Sequence, residues 1–332
     1  MLSSRRTAAL LGVLALTLTA CGDEPPPAVE PTGPELERAW RIAVGEDLLD
    51  QTVAHIYMLA LNSREAPTVV LDVEDGTVEA ALTLAREDDE PRSDEDERFE
   101  IVVARTMPLA QSLDPEGYDD ATTPVGTTQS VAPAAAPEDL TALITEELSG
   151  AELFEPTSAV LSNALVMSTI TAQVHEIDAS SEAQGAAEAC EELVVGFRNG
   201  LPSPGMILSE VYDCQPRQLV AADEDELVEM LLNAEIDTAV MTASHPAITE
   251  NSLIALEDAQ RAFPQDQYAP VVSAQIADEV PDVANEISQR LDSEALATLR
   301  RLIEGEQGLS PAEAAEYWLV EEGFIAPPEN WG

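Results

Sequence analysis

Short apolar runs alternate with helix-periodic segments from Trp40 onward, and this alternation constrains the fold more than any other feature of the chain. Strand-like runs at 40–45, 68–73 and 99–103 are separated by helix-periodic segments at 47–61 and 77–85. A β-α-β-α-β order is typical of a parallel sheet whose faces are covered by helices. The first part of the chain is therefore predicted to form an α/β lobe.

A second cycle of the same kind begins near Ala164. Its order predicts another α/β lobe, joined to the first by extended crossings. The predicted strands are 164–167, 193–197, 218–221, 236–241, 253–256 and 270–272, and the predicted helices between them are 180–191, 204–211 and 223–234.

The remaining segments are a loop and a helical tail. Residues 112–137 are rich in Pro, Ala, Thr and Gly and are predicted to be a loop, followed by a helix at 137–148. The tail is predicted to contain three helices, at 282–291, 293–304 and 310–322, with Ser293 and Ser310 as N-caps.

The N-terminus has the layout of a secretory signal. Arg5 and Arg6 precede an apolar run of about ten residues, too short for a permanent membrane span, and small residues surround Cys21. A cysteine at this position resembles a bacterial lipoprotein signal, in which the thiol is lipidated. Residues 1–21 are then the signal peptide and 22–37, with a proline-rich start, a flexible spacer. The alternative is an ordinary signal peptide or short anchor helix with an incidental cysteine.

Charge sets this chain apart from most globular proteins. It contains 64 acidic residues, 15 arginines and no lysine, which gives a net charge of −49. Such a surface repels nucleic acids and anionic lipid headgroups, so we expect no nucleic-acid partner and membrane contact through the lipid anchor only. The runs 87–90 and 94–97 lack the ligand spacing of a calcium loop and are predicted to be solvated acidic loops.

The acidic composition predicts a salt-adapted protein. Repulsion between like charges opposes compaction. At molar salt concentration the repulsion between charges more than a few ångströms apart is largely screened. The melting temperature is therefore expected to rise between low and molar sodium chloride. A flat or falling curve in a calorimetric salt series would show that the acids do not oppose folding.

Cysteine usage is consistent with an oxidising compartment. Once Cys21 is lipidated, Cys190 and Cys214 remain, 24 positions apart. They are predicted to form one structural disulfide, with two free buried thiols as the alternative.

Catalytic and metal-binding motifs are absent from the sequence. There is no nucleophile elbow, P-loop, G-x-G-x-x-G, C-x-x-C or H-E-x-x-H motif. The three histidines, His55, His175 and His245, show no metal-ligand spacing. We therefore predict a non-enzymatic protein without catalytic residues, metal or cofactor.

The second half of the chain resembles a known family. Between Ser162 and Ile325 it is similar to the substrate-binding proteins of bacterial ABC importers for osmoprotectants such as glycine betaine, choline and proline betaine. The similar segments are 163–167 with 171–172, 234–239, 253–258 with 263–264 and 268–272, 281–291 with 296–302, and 310–319 with 322–325.

The resemblance implies an α/β, two-lobed periplasmic-binding-protein-like fold of type II. Each lobe is then a mostly parallel sheet covered by helices, with a C-terminal helical tail. The implied domains are lobe 1 at 38–162, lobe 2 at 163–262, and the return to lobe 1 with the C-terminal helices at 263–326. The implied function is extracytoplasmic, lipid-anchored binding of a betaine-type zwitterion or cation between hinged lobes, with an ABC permease as partner.

Five residues are candidate ligand contacts. Arg198 matches the family arginine that clamps a carboxylate by two parallel hydrogen bonds. Asn163 lies at the predicted lobe crossing. Thr242 and Ser244 end a predicted strand, where open α/β sheets bind ligands, and Thr106 has a similar place in the first lobe.

The resemblance departs from the family at the aromatic cage that holds a quaternary ammonium. Asn163, the run 104–108 and the run 241–245 replace segments that carry cage residues in the family. A rebuilt cage would have to use Tyr57, Phe99, Tyr118, Phe154, Tyr212 or Tyr268. The alternative function is therefore a degenerate solute-binding lipoprotein that acts as a scaffold or binds another small solute.

Overall fold

The fold is described from a computed structural model. It covers residues 25–29, 31–85, 99–122, 134–177, 183–200, 203–305 and 307–328. The predicted signal peptide with Cys21, and the acidic runs 87–90 and 94–97, lie outside these residues. No helix within them is long and apolar enough to cross a membrane.

Residues 40–153 form most of the first lobe. The helix Leu48–Asn62 is buried over most of its surface. The three helices of the C-terminal tail, Val283–Arg290, Ser293–Glu304 and Pro311–Glu321, cover the side that faces away from the sheet. In chain order the elements are β1 (Trp40–Val44), α1 (Leu48–Asn62), β2 (Thr68–Asp72), α2 (Gly76–Ala85), β3 (Ile101–Arg105), α3 (Thr106–Leu113), α4 (Pro115–Thr122), α5 (Pro137–Glu147) and β4 (Ala151–Leu153).

Residues 163–256 form the second lobe, and the chain then returns to the first. The second-lobe elements are β5 (Asn163–Met167), α6 (Thr169–Val174), β6 (Val194–Arg198), α7 (Gly205–Tyr212), β7 (Gln218–Ala222), α8 (Glu224–Leu232), β8 (Thr238–Thr242), α9 (Pro246–Glu250) and β9 (Ile254–Leu256). The returning elements are β10 (Tyr268–Ser273), α10 (Val283–Arg290), α11 (Ser293–Glu304) and α12 (Pro311–Glu321), and 3-10 helices occur at Gly33–Arg38, Ala183–Glu192 and Ala277–Glu279.

Each lobe contains a five-stranded sheet in the described residues. The strand orders are β2-β1-β3-β10-β4 and β7-β6-β8-β5-β9. In each sheet one strand is antiparallel to the other four. This strand is β10 in the first sheet and β5 in the second. Both reversed strands directly follow a crossing between the lobes. Apolar side chains cover both faces of each sheet, which confirms the prediction of two mostly parallel α/β layers.

Two chain segments cross between the lobes side by side. The N–H of Leu161 donates to the carbonyl of Asp266 at 2.7 Å, and the N–H of Asp266 donates back to Leu161 at 3.0 Å. The described residues therefore place both crossings in one narrow strip.

Two of three local expectations differ from the structure. Helix α4 lies inside the segment predicted to be a loop, because Asp114 accepts from the N–H of Gly117 and Tyr118 packs against the first-lobe core. Asp292, rather than Ser293, is the N-cap of α11, since its side chain accepts from the N–H of Ala295. Ser310 caps α12 as predicted, in a capping box with Glu313.

The predicted spacer is not wholly detached from the folded part. The carbonyl of Pro26 accepts a hydrogen bond from the N–H of Ala326 at 2.9 Å, and Ala28 packs against the core around α1. Proline has no backbone N–H but keeps its carbonyl as an acceptor, so a proline-rich segment can still attach in this way.

Cys190 and Cys214 are joined by a disulfide in the second lobe, with their Cα atoms 5.3 Å apart. Replacing both by serine is expected to lower the free energy of unfolding by about 3 kcal/mol, since the unfolded chain gains the freedom of the opened loop. Urea denaturation monitored by circular dichroism measures this change. Equal stability of the two forms, or full alkylation of both thiols in the unreduced protein, would contradict the prediction.

Candidate functional site

A chamber of about 260 Å³ lies where the two lobes and the crossings meet. It receives side chains from the first lobe, the second lobe, both crossings and the helical tail. Its lining residues are Arg105, Met107, Leu161, Ser162, Asn163, Arg198, Thr242, Pro264, Asp266 and Arg300.

Sheet topology explains why distant polar residues meet here. Arg105, Arg198 and Thr242 are the last residues of β3, β6 and β8, and the carboxyl ends of parallel strands share one edge of a sheet. Asn163 begins the reversed strand β5 and pairs in register with Thr242. The site is thus built from strand ends of both lobes.

A larger cavity of about 580 Å³ adjoins the chamber at Ser162 and Asn163. Alanines and the hinge segment 255–261 form much of its wall, and Arg261 is the arginine that lines it. Strand ends of the first lobe do not contribute to its described lining, whereas strand ends of both lobes line the smaller chamber. We therefore regard the smaller chamber as the candidate site.

The structure places three of the five sequence candidates, Asn163, Arg198 and Thr242, on the chamber wall. Thr106 and Ser244 lie outside this lining. Thr106 is fully buried, and its hydroxyl donates to Oδ1 of Asp266 at 3.1 Å, so it positions that carboxylate. Ser244 is buried, and its Oγ has no hydrogen-bond partner among the described residues.

Arg198 has hydrogen-bonding capacity left over. Its side chain is 44% exposed, and the nearest carboxylate oxygen, Oε2 of Glu224, is 3.9 Å from Nη1. The other oxygen of Glu224 accepts the N–H of Thr242 at 2.6 Å, which fixes the end of β8 beside the arginine. Among the described residues, the Arg198 guanidinium therefore faces the chamber with unused N–H donors.

The guanidinium of Arg105 is already engaged by other side chains of the protein. Its Nε and Nη2 donate to Oδ1 of Asp50 at 3.3 and 3.0 Å, and its guanidinium carbon lies 5.5 Å from the centre of the Tyr268 ring. The Tyr268 hydroxyl also donates to Asp50, at 2.6 Å. Burial disfavours the charge of Arg105, but neighbouring Tyr268 and Asp50 outweigh that effect and raise its pKa above the ordinary value.

Asp266 provides the acidic group of the chamber wall. It is 6% exposed, and its Oδ1 accepts from the N–H of Met107 at 2.8 Å, from the N–H of Gln267 at 2.9 Å and from Thr106. Burial raises the pKa of this carboxyl, while the three hydrogen bonds and the charge of Arg105 act in the opposite direction.

Arg300, which was not a candidate from sequence, reaches the chamber from α11. Its Nη1 lies 3.3 Å from Oε1 of Glu304, and its side chain is 18% exposed. Its Nε is buried without a hydrogen-bond partner in the described part of the chain. The sequence shows Arg300 on a periodic helix beside Arg301, where an arginine normally faces solvent.

The aromatic residues available for a rebuilt cage do not line the chamber. Tyr57, Phe99, Tyr212 and Tyr268 are buried in the lobes. Tyr118 and Phe154 are half-buried against the first-lobe core. The lining of the chamber, as far as the structure describes it, therefore offers no aromatic face to a ligand cation.

Comparison with known proteins identifies this architecture. The OpuAC family, described as the substrate binding domain of ABC-type glycine betaine transport systems, matches residues 109–321. A crystal structure of a glycine betaine/carnitine/choline ABC transporter has 15% identity and a TM-score of 0.66, covering 86% of this chain and 99% of that one. Apo YehZ from Escherichia coli has 16% identity, a TM-score of 0.64 and the same coverage. A sequence search among curated proteins finds no match. The two structures show the fold, and they confirm the predicted two-lobed binding-protein architecture.

Proposed function

Since this chain belongs to the OpuAC family of substrate-binding domains of ABC-type glycine betaine transport systems, we propose that it binds a small betaine-type zwitterion or cation outside the cytoplasm and delivers it to an ABC permease. Family membership also confirms that the chain is a binding protein and not an enzyme.

The chamber between the lobes is the observation that carries this proposal. Arg198 presents unused N–H donors there, and an arginine guanidinium binds a carboxylate by two parallel hydrogen bonds. Asn163 and Thr242 lie next to each other on the same wall and supply amide and hydroxyl groups that orient a small polar solute.

The crossings supply a hinge for closing the lobes over the solute. The chain passes between the lobes near Ser162 and again between Asp258 and Phe263, and the paired backbones of Leu161 and Asp266 hold the two passages together. Rotation about such a narrow strip opens and closes a cleft without unfolding either lobe. The proposed domains are 38–162 and 263–326 for lobe 1, and 163–262 for lobe 2.

Cys21 is proposed to anchor the mature protein to the membrane through an attached lipid. Changing Cys21→Ala is expected to release the folded protein from the membrane fraction, because the lipid is then missing. Fractionation with a salt wash measures retention, with Thr17→Ala as a control that keeps the cysteine. A Cys21→Ala variant that still sediments with membranes would contradict the anchor.

A thermal-shift screen tests the binding function directly. Glycine betaine, proline betaine, choline, ectoine and amino acids are each added at millimolar concentration. A ligand present at 100 times its dissociation constant is expected to stabilise the folded protein by about 2.7 kcal/mol. If no member of this panel raises the melting temperature, the solute-receptor proposal is overturned.

One observation favours a second candidate function. The described lining of the chamber has no aromatic side chain, whereas each ring face contributes about 1–2 kcal/mol to binding a desolvated cation. A chain that has lost its solute would act as a membrane-anchored scaffold. The same screen separates the two functions, since a scaffold gives no ligand-dependent stabilisation.

A further inference from the structure

Arg300 is a cationic side chain of the chamber wall, and its Nε is buried. The Nε–H has no acceptor within the described residues, although Nη1 of the same guanidinium donates to Oε1 of Glu304 at 3.3 Å. Buried donors are nearly always paired, because an unpaired donor loses its bonds to water without replacement. Arg300 lines the chamber, so its guanidinium is available to an anionic group of a ligand there.

Arg198 and Arg300 are therefore two cationic groups with unused donors in one small chamber. Arg105, the third arginine on the wall, differs because Asp50 and the Tyr268 ring already engage its guanidinium. Arginines that converge on one chamber, in a chain with 64 acidic residues, match a ligand with more than one anionic group.

Asp266 adds one complementary negative group. All three of its hydrogen bonds end on Oδ1, so Oδ2 accepts none from the described residues. An ammonium that bears N–H groups can donate to such an oxygen. A quaternary ammonium cannot, and the Tyr268 face that could attract it lies under the guanidinium of Arg105.

Taking as given the proposed capture of a small solute for an ABC permease, but not its betaine-type ligand, we propose that the ligand is an acidic amino-acid-like zwitterion with two carboxylates and one N–H-bearing ammonium. Arg198 and Arg300 bind the two carboxylates, and Asp266 binds the ammonium. Asn163 and Thr242 complete the polar wall between them. The three groups assigned to the ligand, two positive and one negative, are the complement of its two carboxylates and one ammonium.

Calorimetric titration with four probes tests this assignment. L-Glutamate and L-glutamine have nearly the same shape and differ in one carboxylate, while glycine betaine and choline carry quaternary ammonium groups. The native protein is expected to bind L-glutamate at least tenfold more tightly than the other three. Equal or tighter binding of L-glutamine, glycine betaine or choline would overturn the assignment.

Two matched variants on one helix assign the second carboxylate to Arg300. Arg300→Gln is expected to abolish the preference for L-glutamate over L-glutamine, whereas Arg301→Gln, on the solvent side of α11, is expected to keep it. Retention of the preference in Arg300→Gln would overturn the role of Arg300. Circular dichroism melts of both variants show that each is folded.

The outcomes separate this inference from the proposed function. If glycine betaine or choline binds and L-glutamate does not, the acidic-ligand assignment fails and the solute-receptor function stands. If no probe binds and no solute in the thermal-shift panel binds, both fail together.

Discussion

Changing Arg198→Ala is expected to weaken solute binding at least tenfold, which corresponds to about 1.4 kcal/mol. Arg198 stands at the end of β6 with donors that no described carboxylate engages within hydrogen-bond distance, since Glu224 is 3.9 Å away. Removing the guanidinium leaves a ligand carboxylate without its charged partner. Calorimetry with the solute that gives the largest thermal shift measures the change in dissociation constant.

Arg217→Ala is the matched control for this prediction. Arg217 belongs to the same lobe, is 62% exposed and lies 3.9 Å from Asp237, and it does not line the chamber. Its loss is expected to leave the affinity within about twofold, because a distant exposed charge contributes little. An unchanged affinity in Arg198→Ala would show that the carboxylate binds elsewhere.

Changing Asp258→Ala is expected to lower the free energy of unfolding by about 3 kcal/mol. Asp258 is 9% exposed and lies in the second crossing. Its carboxylate accepts from the Tyr212 hydroxyl, from the N–H of Ala262 at 2.9 Å and from the N–H of Phe263 at 2.8 Å. Without it, three buried donors lose their acceptor at the point where the second lobe meets the hinge.

Urea denaturation measures this effect, with Glu257→Ala as the control. Glu257 is the exposed neighbour, so its replacement is expected to change stability by less than about 0.5 kcal/mol. Tyr212→Phe removes one of the three donors and is expected to give an intermediate loss. A stability of Asp258→Ala within error of the native protein would show that this hydrogen-bond group does not hold the crossing.

Much of the fold was predictable because local periodicity and packing agree. The runs around Ile42, Val102 and Val195 are mostly apolar and so can bury both faces of a strand, as parallel sheets require. They form β1, β3 and β6. Helix α4 does not follow from the sequence because its polar composition resembles a loop, and it forms through the hydrogen bond that the N–H of Gly117 donates to Asp114 and the packing of Tyr118.

The candidate site was predictable where it depends on strand ends. The rule that ligands bind at strand ends predicts Thr242, whereas Arg198 follows from the family resemblance and Asn163 from its place at the predicted lobe crossing. Arg300 could not be found this way, because the position of α11 across the cleft is a property of tertiary packing. Asp266 follows from no periodic pattern, and its role depends on the crossing that brings it next to Thr106.

Small-angle X-ray scattering of the protein with and without a saturating solute tests the central claim, that a solute binds between two hinged lobes. The probe is the member of the thermal-shift panel with the largest effect. Closure of the lobes is expected to reduce the radius of gyration, and Arg198→Ala at the same solute concentration is expected to retain the larger value. An identical scattering curve with and without solute, under conditions where calorimetry shows saturation, would contradict binding between the lobes.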